Sequence, residues 1–276
     1  MATGTTSSEQ KRRLGVVHYN WPGYEFEAFV RRAVEIGYGY CELDTADFWD
    51  DSDAGGEAAA VAAREILDRH RLSVSALAPR NDFLQADPAD LAAQLSRYRQ
   101  ICQLAPILGT DLLRTDGGWN RAGLIPAEQW DAMLEDAFKR CADIAEETQI
   151  RIALDNHGLA TNDGEWQLNL IERVGSPRLG GNLDSMNYRW FGHDLSRVDH
   201  FYEILAPHVF HVHLKDGVGS RDTYHGRVLG EGEIHLDHAL NCLEAYDGVW
   251  TAEYEGDETS QGQGYARCYQ WMATNL

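Results

Sequence analysis

The chain has 276 residues, 43% hydrophobic and 25% charged, a composition that suits a soluble globular protein with material for one large core. Its formal charge is -20, from 24 basic against 44 acidic residues, and a surface of that sign repels nucleic-acid phosphates and anionic lipids. Apolar runs fall far short of the roughly 18 residues that span a bilayer, so neither nucleic acid nor membrane is expected as a partner.

Residues 1–12 are small and polar, and no apolar segment long enough for a signal peptide follows Lys11-Arg12-Arg13. They read as a flexible tail on a cytoplasmic protein, with residues 13–276 forming a single domain. The five cysteines (Cys41, Cys102, Cys141, Cys242, Cys268) are scattered and lack any CxxC pairing, as expected of reduced core thiols.

From Leu14 onward, short apolar runs alternate with amphipathic stretches. Residues 14–18 make the first strand, and 26–36 a helix with Phe26, Phe29, Val30, Ala33 and Val34 on one face, closed by Gly37. Residues 40–43 are the second strand and 58–69 the second helix. A third strand, 72–78, runs into Arg80-Asn81-Asp82-Phe83, and Asp87-Pro88 opens the next helix as N-cap and first-turn proline. Strand four (110–114) ends in Thr115-Asp116-Gly117-Gly118-Trp119 and precedes a long helix over 126–148. Strand five (150–154) leads into Asp155-Asn156-His157-Gly158, followed by a helix over 166–174 and strand six over 179–184. A helix over 195–205 comes before Val209-Phe210-His211-Val212-His213-Leu214-Lys215-Asp216, whose period-two alternation marks strand seven. A helix over 236–245, strand eight over 249–254 and a final helix over 264–272 complete the chain.

Eight strands strictly alternating with eight helices, about 34 residues per unit, predict a parallel sheet closed as a single (β/α)₈ barrel. An open doubly wound sheet would usually carry a Gly-rich phosphate turn after the first strand, and His18-Tyr19-Asn20-Trp21-Pro22 is not one.

In such barrels the functional groups sit where strands end. Strand five ends in Asp155, strand six in Asp184, strand seven in His213 and strand eight in Glu253. Each alone reads equally well as a solvated loop residue. Together, three carboxylates and one imidazole on consecutive strands predict a site for one divalent ion. The donors favour Mn²⁺, with Mg²⁺, Co²⁺ or Zn²⁺ as alternatives.

Asp155-Asn156-His157-Gly158, Leu183-Asp184-Ser185-Met186-Asn187, His211-Val212-His213-Leu214-Lys215-Asp216, Leu229-Gly230-Glu231-Gly232-Glu233 and Ala252-Glu253-Tyr254-Glu255-Gly256 occur in that order. Together they resemble the xylose-isomerase-like superfamily of sugar isomerases and epimerases, most closely over residues 150–256. Two positions depart from its pattern. The strand-five ligand is normally glutamate where this chain has Asp155, and the ketose epimerases place a substrate-binding histidine where it has Asn187.

The resemblance implies proton abstraction next to a carbonyl, with a divalent cation stabilising the resulting enediolate. It assigns the general base to Glu253 or Asp155 and offers Lys215 as charge at the oxyanion, or else as a partner for Asp216. His157 and Arg227 are expected to bind substrate hydroxyls, and Trp21, Trp49, Trp119, Tyr188 and Trp190 to wall the mouth or pack on helices, with Trp119 and Trp21 foremost. Asp82 either binds substrate or caps a turn. Glu255 is expected on the opposite face of strand eight from Glu253, and His211 as a satisfied core histidine.

The expected substrate is a non-phosphorylated keto-sugar or keto-inositol. A lyase on the same scaffold is the alternative, abstracting the same proton and eliminating a β-oxygen from a 3-keto sugar, keto-glycoside or keto-inositol. The endonuclease branch of the superfamily is disfavoured by charge, and a non-catalytic carbohydrate binder by the complete ligand set. Dimerisation through outer helices suits a barrel of this size, though no stripe singles out an interface.

Overall fold

Each barrel strand is four to six residues long and buried along most of its length, so its apolar side chains serve both the bore and the helix layer. The computed structural model describes residues 12–18, 21, 23–50, 55–119, 123–256 and 262–276. Its strands are β1 (Arg13–Val17), β2 (Tyr40–Asp44), β3 (Ser73–Ala78), β4 (Leu112–Thr115), β5 (Arg151–Asp155), β6 (Leu179–Asp184), β7 (Val209–Leu214) and β10 (Val249–Ala252), with β8 (Asp216–Val218) and β9 (His225–Arg227) outside the barrel. They close in the order β1-β10-β7-β6-β5-β4-β3-β2, every neighbouring pair parallel. The chain is a single (β/α)₈ barrel.

The main outer helices are α1 (Phe26–Ile36), α2 (Gly56–His70), α3 (Pro88–Leu108), α4 (Ala127–Thr148), α5 (Gly164–Val174), α7 (Leu195–Leu205), α8 (Leu236–Cys242) and α9 (Gln263–Asn275). Their starts follow capping chemistry: Asp87, Asp163 and Asp194 accept from the backbone N–H of Ala89, Trp166 and Arg197 at 2.8, 3.0 and 2.9 Å. The helices cover the barrel with one continuous core that includes Phe29, Leu67, Tyr98, Phe138 and Phe201. All five cysteines are free, four of them buried and Cys242 half-buried. Among the described residues no helix is long and apolar enough to cross a membrane.

Three differences from the sequence reading bear on the site. The loop after β7 folds into an antiparallel hairpin, β8 (Asp216–Val218) with β9 (His225–Arg227), and the loop after β6 into the short helix α6 (Asn187–Phe191). Both are too short to leave a periodic pattern. Strand eight ends at Ala252 rather than at Tyr254, so Glu253 stands just past the end of β10. Of the predicted tail, residues 1–11 lie outside the described residues, while Arg12 donates to the Tyr246 carbonyl at 2.9 Å and is not loose. Tyr19, Asn20 and Pro22 of the first strand's loop also lie outside them.

Candidate active site

On β7, His211 and His213 project into the bore two residues apart. His211 is a satisfied core histidine: Nδ1 lies 2.9 Å from Asn182 Oδ1, and Nε2 lies 3.3 Å from Thr251 Oγ1. One level higher, His213 Nε2 is 2.6 Å from Glu42 Oε2 across the bore, and Nδ1 is 2.7 Å from Glu253 Oε2. Asp184 stands beside it, its Oδ1 pinned by the N–H groups of Met186 and Asn187, both at 2.8 Å, at the start of α6.

Asp184 Oδ2, left over from that cap, is buried without a hydrogen bond, although Lys215 Nζ lies 3.2 Å away. His213 Nδ1, 3.8 Å from it, also lacks a bond of proper geometry. Their close neighbours are charged, Lys215 for Asp184 Oδ2 and Glu253 for His213 Nδ1, the latter at 2.7 Å. Donor atoms of Asp184, His213 and Glu253 all lie within 4.8 Å of one another.

Asp155 is not in that group. Its Oδ2 accepts from Arg114 Nη1 at 2.9 Å and its Oδ1 from Asn182 Nδ2 at 2.5 Å. The guanidinium of Arg114 also holds Glu42 Oε1 at 2.9 Å and Asp116 Oδ1 at 2.8 Å. Asp155 instead clusters with Asp116 and His157. The four expected ligands are thus split three and one.

The electrostatics favour a cation on the Asp184 side. Five buried carboxylates (Glu42, Asp116, Asp155, Asp184, Glu253) meet two permanent buried cations, Arg114 and Lys215. Burial, reinforced by Glu253, pushes the Asp184 carboxyl up to about 8 against the pull of Lys215. Burial opposes charge on His213, but Glu42 and Glu253 outweigh it and hold the imidazole well above its usual range. Glu42 shows the reverse balance: burial raises it, and His213 with Arg114 bring it down to about 2. A positive charge at His213 is what these surroundings demand, and an ion bound there would take over that part from the proton.

A family model for the xylose isomerase-like TIM barrel matches residues 30–274. The chain belongs to that family. Comparison with curated proteins gave no match. Among solved structures, the barrel resembles a xylose isomerase-like TIM barrel/4-hydroxyphenylpyruvate dioxygenase fusion protein at 18% identity and TM-score 0.73, covering 93% of this chain but only 41% of that one. It resembles the IOLI protein with a bound zinc atom at 17% identity and TM-score 0.77, over 95% and 97% of the two chains. It also resembles 3-keto-D-glucoside 4-epimerase, YcjR, from E. coli at 14% identity and TM-score 0.76, over 96% and 100%. At these identities the likeness is one of fold.

Within this xylose isomerase-like barrel, Lys215 is buried and its Nζ lies 3.1 Å from Glu253 Oε1, 3.2 Å from Asp184 Oδ2 and 3.4 Å from Glu255 Oε2. Its alternative partner, Asp216, is engaged elsewhere. That carboxylate accepts backbone N–H groups from Gly217, Gly230 and Gly232 at 2.8, 3.0 and 2.9 Å, which ties the Leu229-to-Ile234 loop to β8. Glu255 departs from expectation: it shares Lys215 with Glu253 rather than turning away, because residues two apart along an extended chain project to the same side.

The predicted substrate contacts fare unevenly. His157 Nδ1 lies 3.7 Å from Asp155 Oδ2, and its ring meets Trp119 edge-on at 6.0 Å. Trp119 is 49% exposed and His157 is half-buried. Trp21 is packed into the helix layer, stacked on Tyr265 at 4.6 Å and edge-on to Phe29. It is 4% exposed, which removes it from any exposed wall. Asn187 is buried and opens α6 beneath Asp184. Arg227 lies exposed on the hairpin, its Nη1 donating to the Gly226 carbonyl at 3.2 Å. Asp82 caps turns, with Oδ1 accepting from Leu84 and Trp119 N–H groups at 3.2 Å.

Sequence reasoning missed Glu42, Arg114, Asp116 and Asn182 as members of the network. The signal for the first two was a charge inside an otherwise apolar barrel strand, which is costly unless paired.

Proposed function

We propose that the protein is a divalent-metal-dependent isomerase or epimerase acting on a non-phosphorylated keto-sugar or keto-inositol. The observation that carries this reading is the convergence of Asp184, His213 and Glu253, whose donor atoms all lie within 4.8 Å of one another in the buried bore. Asp184 Oδ2, His213 Nδ1 and Glu253 Oε2 would hold the ion, and the oxygen-rich set suits Mn²⁺ first, then Mg²⁺, Co²⁺ or Zn²⁺. When bound, such an ion supplies Lewis-acid polarisation of the substrate carbonyl.

The chain's own groups account for the rest. Glu253 Oε1, on the Lys215 side, is the atom we assign to removing the proton next to the carbonyl. The Lys215 ammonium places fixed positive charge where an oxyanion would develop. His157 and Trp119 stand at the mouth, suited to a hydroxyl and a sugar face. The excess of buried carboxylates disfavours a phosphorylated substrate, and the -20 charge disfavours nucleic acid.

One observation favours elimination as a second reading. Arg114 and Asn182 hold both oxygens of Asp155, as Lys215 and His213 hold those of Glu253. Only Glu253 shares the cluster with Asp184 and His213, which makes it the one base we assign. One base is enough for β-elimination from a 3-keto sugar, whereas epimerisation is easier with two. Incubating the metal-loaded protein with 3-keto-glucosides in D₂O distinguishes them: deuterium exchange without net loss supports isomerisation, and growth of enone ultraviolet absorbance supports the lyase. Glu253→Gln should reduce either signal at least about 100-fold, the scale of a lost general base. An unchanged rate in that variant removes Glu253 from the chemistry.

A further inference from the structure

His213 lies between two carboxylates, one at each ring nitrogen. On one side Glu253 Oε2 stands 2.7 Å from Nδ1, within the group for which we propose a cation. On the other, across the bore, Glu42 Oε2 stands 2.6 Å from Nε2. Only the second contact is aligned as a hydrogen bond. Glu42 is 2% exposed, and its other oxygen accepts from Arg114 Nε at 2.9 Å, so both ends of the carboxylate are fixed.

The barrel's backbone singles out the same place. Pairing of β2 with β3 shifts register between Cys41 and Glu42, and pairing of β6 with β7 shifts between Gly181 and Asn182. A shift of this kind gives one strand an extra residue and re-aims the side chains beside it. The first sits at Glu42. The second sits next to His211, whose ring meets that of His213 edge-on at 5.1 Å and whose Nδ1 lies 3.6 Å from Glu42 Oε2.

We propose that Glu42 is a positioning residue for the cation, holding the His213 ring with its proton on Nε2 and its Nδ1 lone pair toward Asp184 and Glu253. The inference rests on the cation site proposed above. A neutral imidazole has one N–H and one lone pair, and a metal takes the lone pair. Glu42, ion-paired with Arg114, can only accept, so the N–H belongs on its side and Nδ1 is left for the ion. An acceptor behind a ligating histidine fixes the ring and makes the ligating nitrogen more basic. Its loss typically costs about 10–100-fold in metal affinity. Arg114 also holds Asp155 Oδ2 at 2.9 Å, which ties Asp155 to the same histidine through two side chains.

The test takes the full chain with ¹⁵N-labelled histidine and uses Zn²⁺ as a diamagnetic probe. Long-range proton–nitrogen spectra of the zinc-bound wild type should show a protonated Nε2 and a ligated Nδ1 at His213. Glu42→Gln, close to glutamate in size, should bind zinc about tenfold or more weakly by titration calorimetry and leave the Nε2 proton exchanging faster with water. A thermal melt checks its fold, and His211 is the internal control, its ring being held by Asn182 and Thr251. Should that variant fail to fold, the wild-type spectrum alone decides. Zinc ligated through Nε2, with the proton on Nδ1, overturns the proposal and makes Glu42 and His211 the ion's partners instead. Zinc affinity in folded Glu42→Gln indistinguishable from wild type also overturns it. If Asp184→Asn abolishes binding while Glu42→Gln leaves it intact, this inference alone falls; zinc binding by neither wild type nor variants removes the cation site as well.

Discussion

Asp155 carries the chain's main departure from its family, and its surroundings explain how the shorter side chain is used. Arg114 sits between Asp155, Asp116 and Glu42 and satisfies all three carboxylates, in a burial where an unpaired charge costs roughly 3–5 kcal/mol. An aspartate held this way clusters with Asp116 and His157, apart from the Asp184, His213 and Glu253 group for which we propose a cation. Metal affinity should therefore separate the two aspartates. Asp184→Asn is expected to weaken Mn²⁺ binding by more than the roughly 10–100-fold that loss of a supporting group costs, and Asp155→Asn by less than about tenfold. Titration calorimetry of both variants checks this, and the opposite ranking would return Asp155 to the metal. Asp184, His213 and Glu253 were legible because polar groups at the ends of consecutive strands stand out against apolar runs. Glu42 and Arg114 were not, because their partners come from strands far along the chain: Glu42 pairs with His213 171 residues away. The same limit applies to Trp21, whose sequence neighbours say nothing of Tyr265, the ring that covers it.

At the scale of elements, the loop after β7 shows how a motif that looks catalytic serves structure. Asp216 gathers the amides of Gly217, Gly230 and Gly232 and so closes the segment that follows the hairpin. Gly232 has no room for a side chain there: a Cβ would stand 1.9 Å from Asp216 Oδ1 and 2.5 Å from Gly217 N. Gly232→Ala should then cost about 1–3 kcal/mol, as overpacking does, and lower the thermal midpoint by several degrees. Calorimetry reads this directly, and a midpoint within one degree of wild type would mean that the clasp does not hold the loop. The alternation of long strands and helices was readable because each long helix buries a periodic face and begins at a recognisable cap, as Asp87-Pro88 does for α3. The hairpin and α6 were not readable, being three residues per strand and five residues long. Elements that short are set by what they dock on, here Asp184 for α6 and the backbone of Glu255 and Gly256 for Gly226 of the hairpin.

Across the whole molecule, the charge of the bore is concentrated at its carboxy-terminal end, where carboxylates gather around His213 and Lys215. Below them lies a layer of buried hydrogen bonds through Asn182, His211 and Thr251. The formal charge of -20 is a property of the whole chain and disfavours polyanionic partners. The chemistry we propose rests instead on a local surplus of buried carboxylates that a divalent cation would neutralise. The most direct measurement is proton exchange at carbon in D₂O, using chelator-treated protein with and without added Mn²⁺ and a panel of keto-sugars and keto-inositols. Deuterium is expected to enter next to the carbonyl, or enone to form, only after the cation is restored. The same rate in rigorously metal-free protein would contradict it.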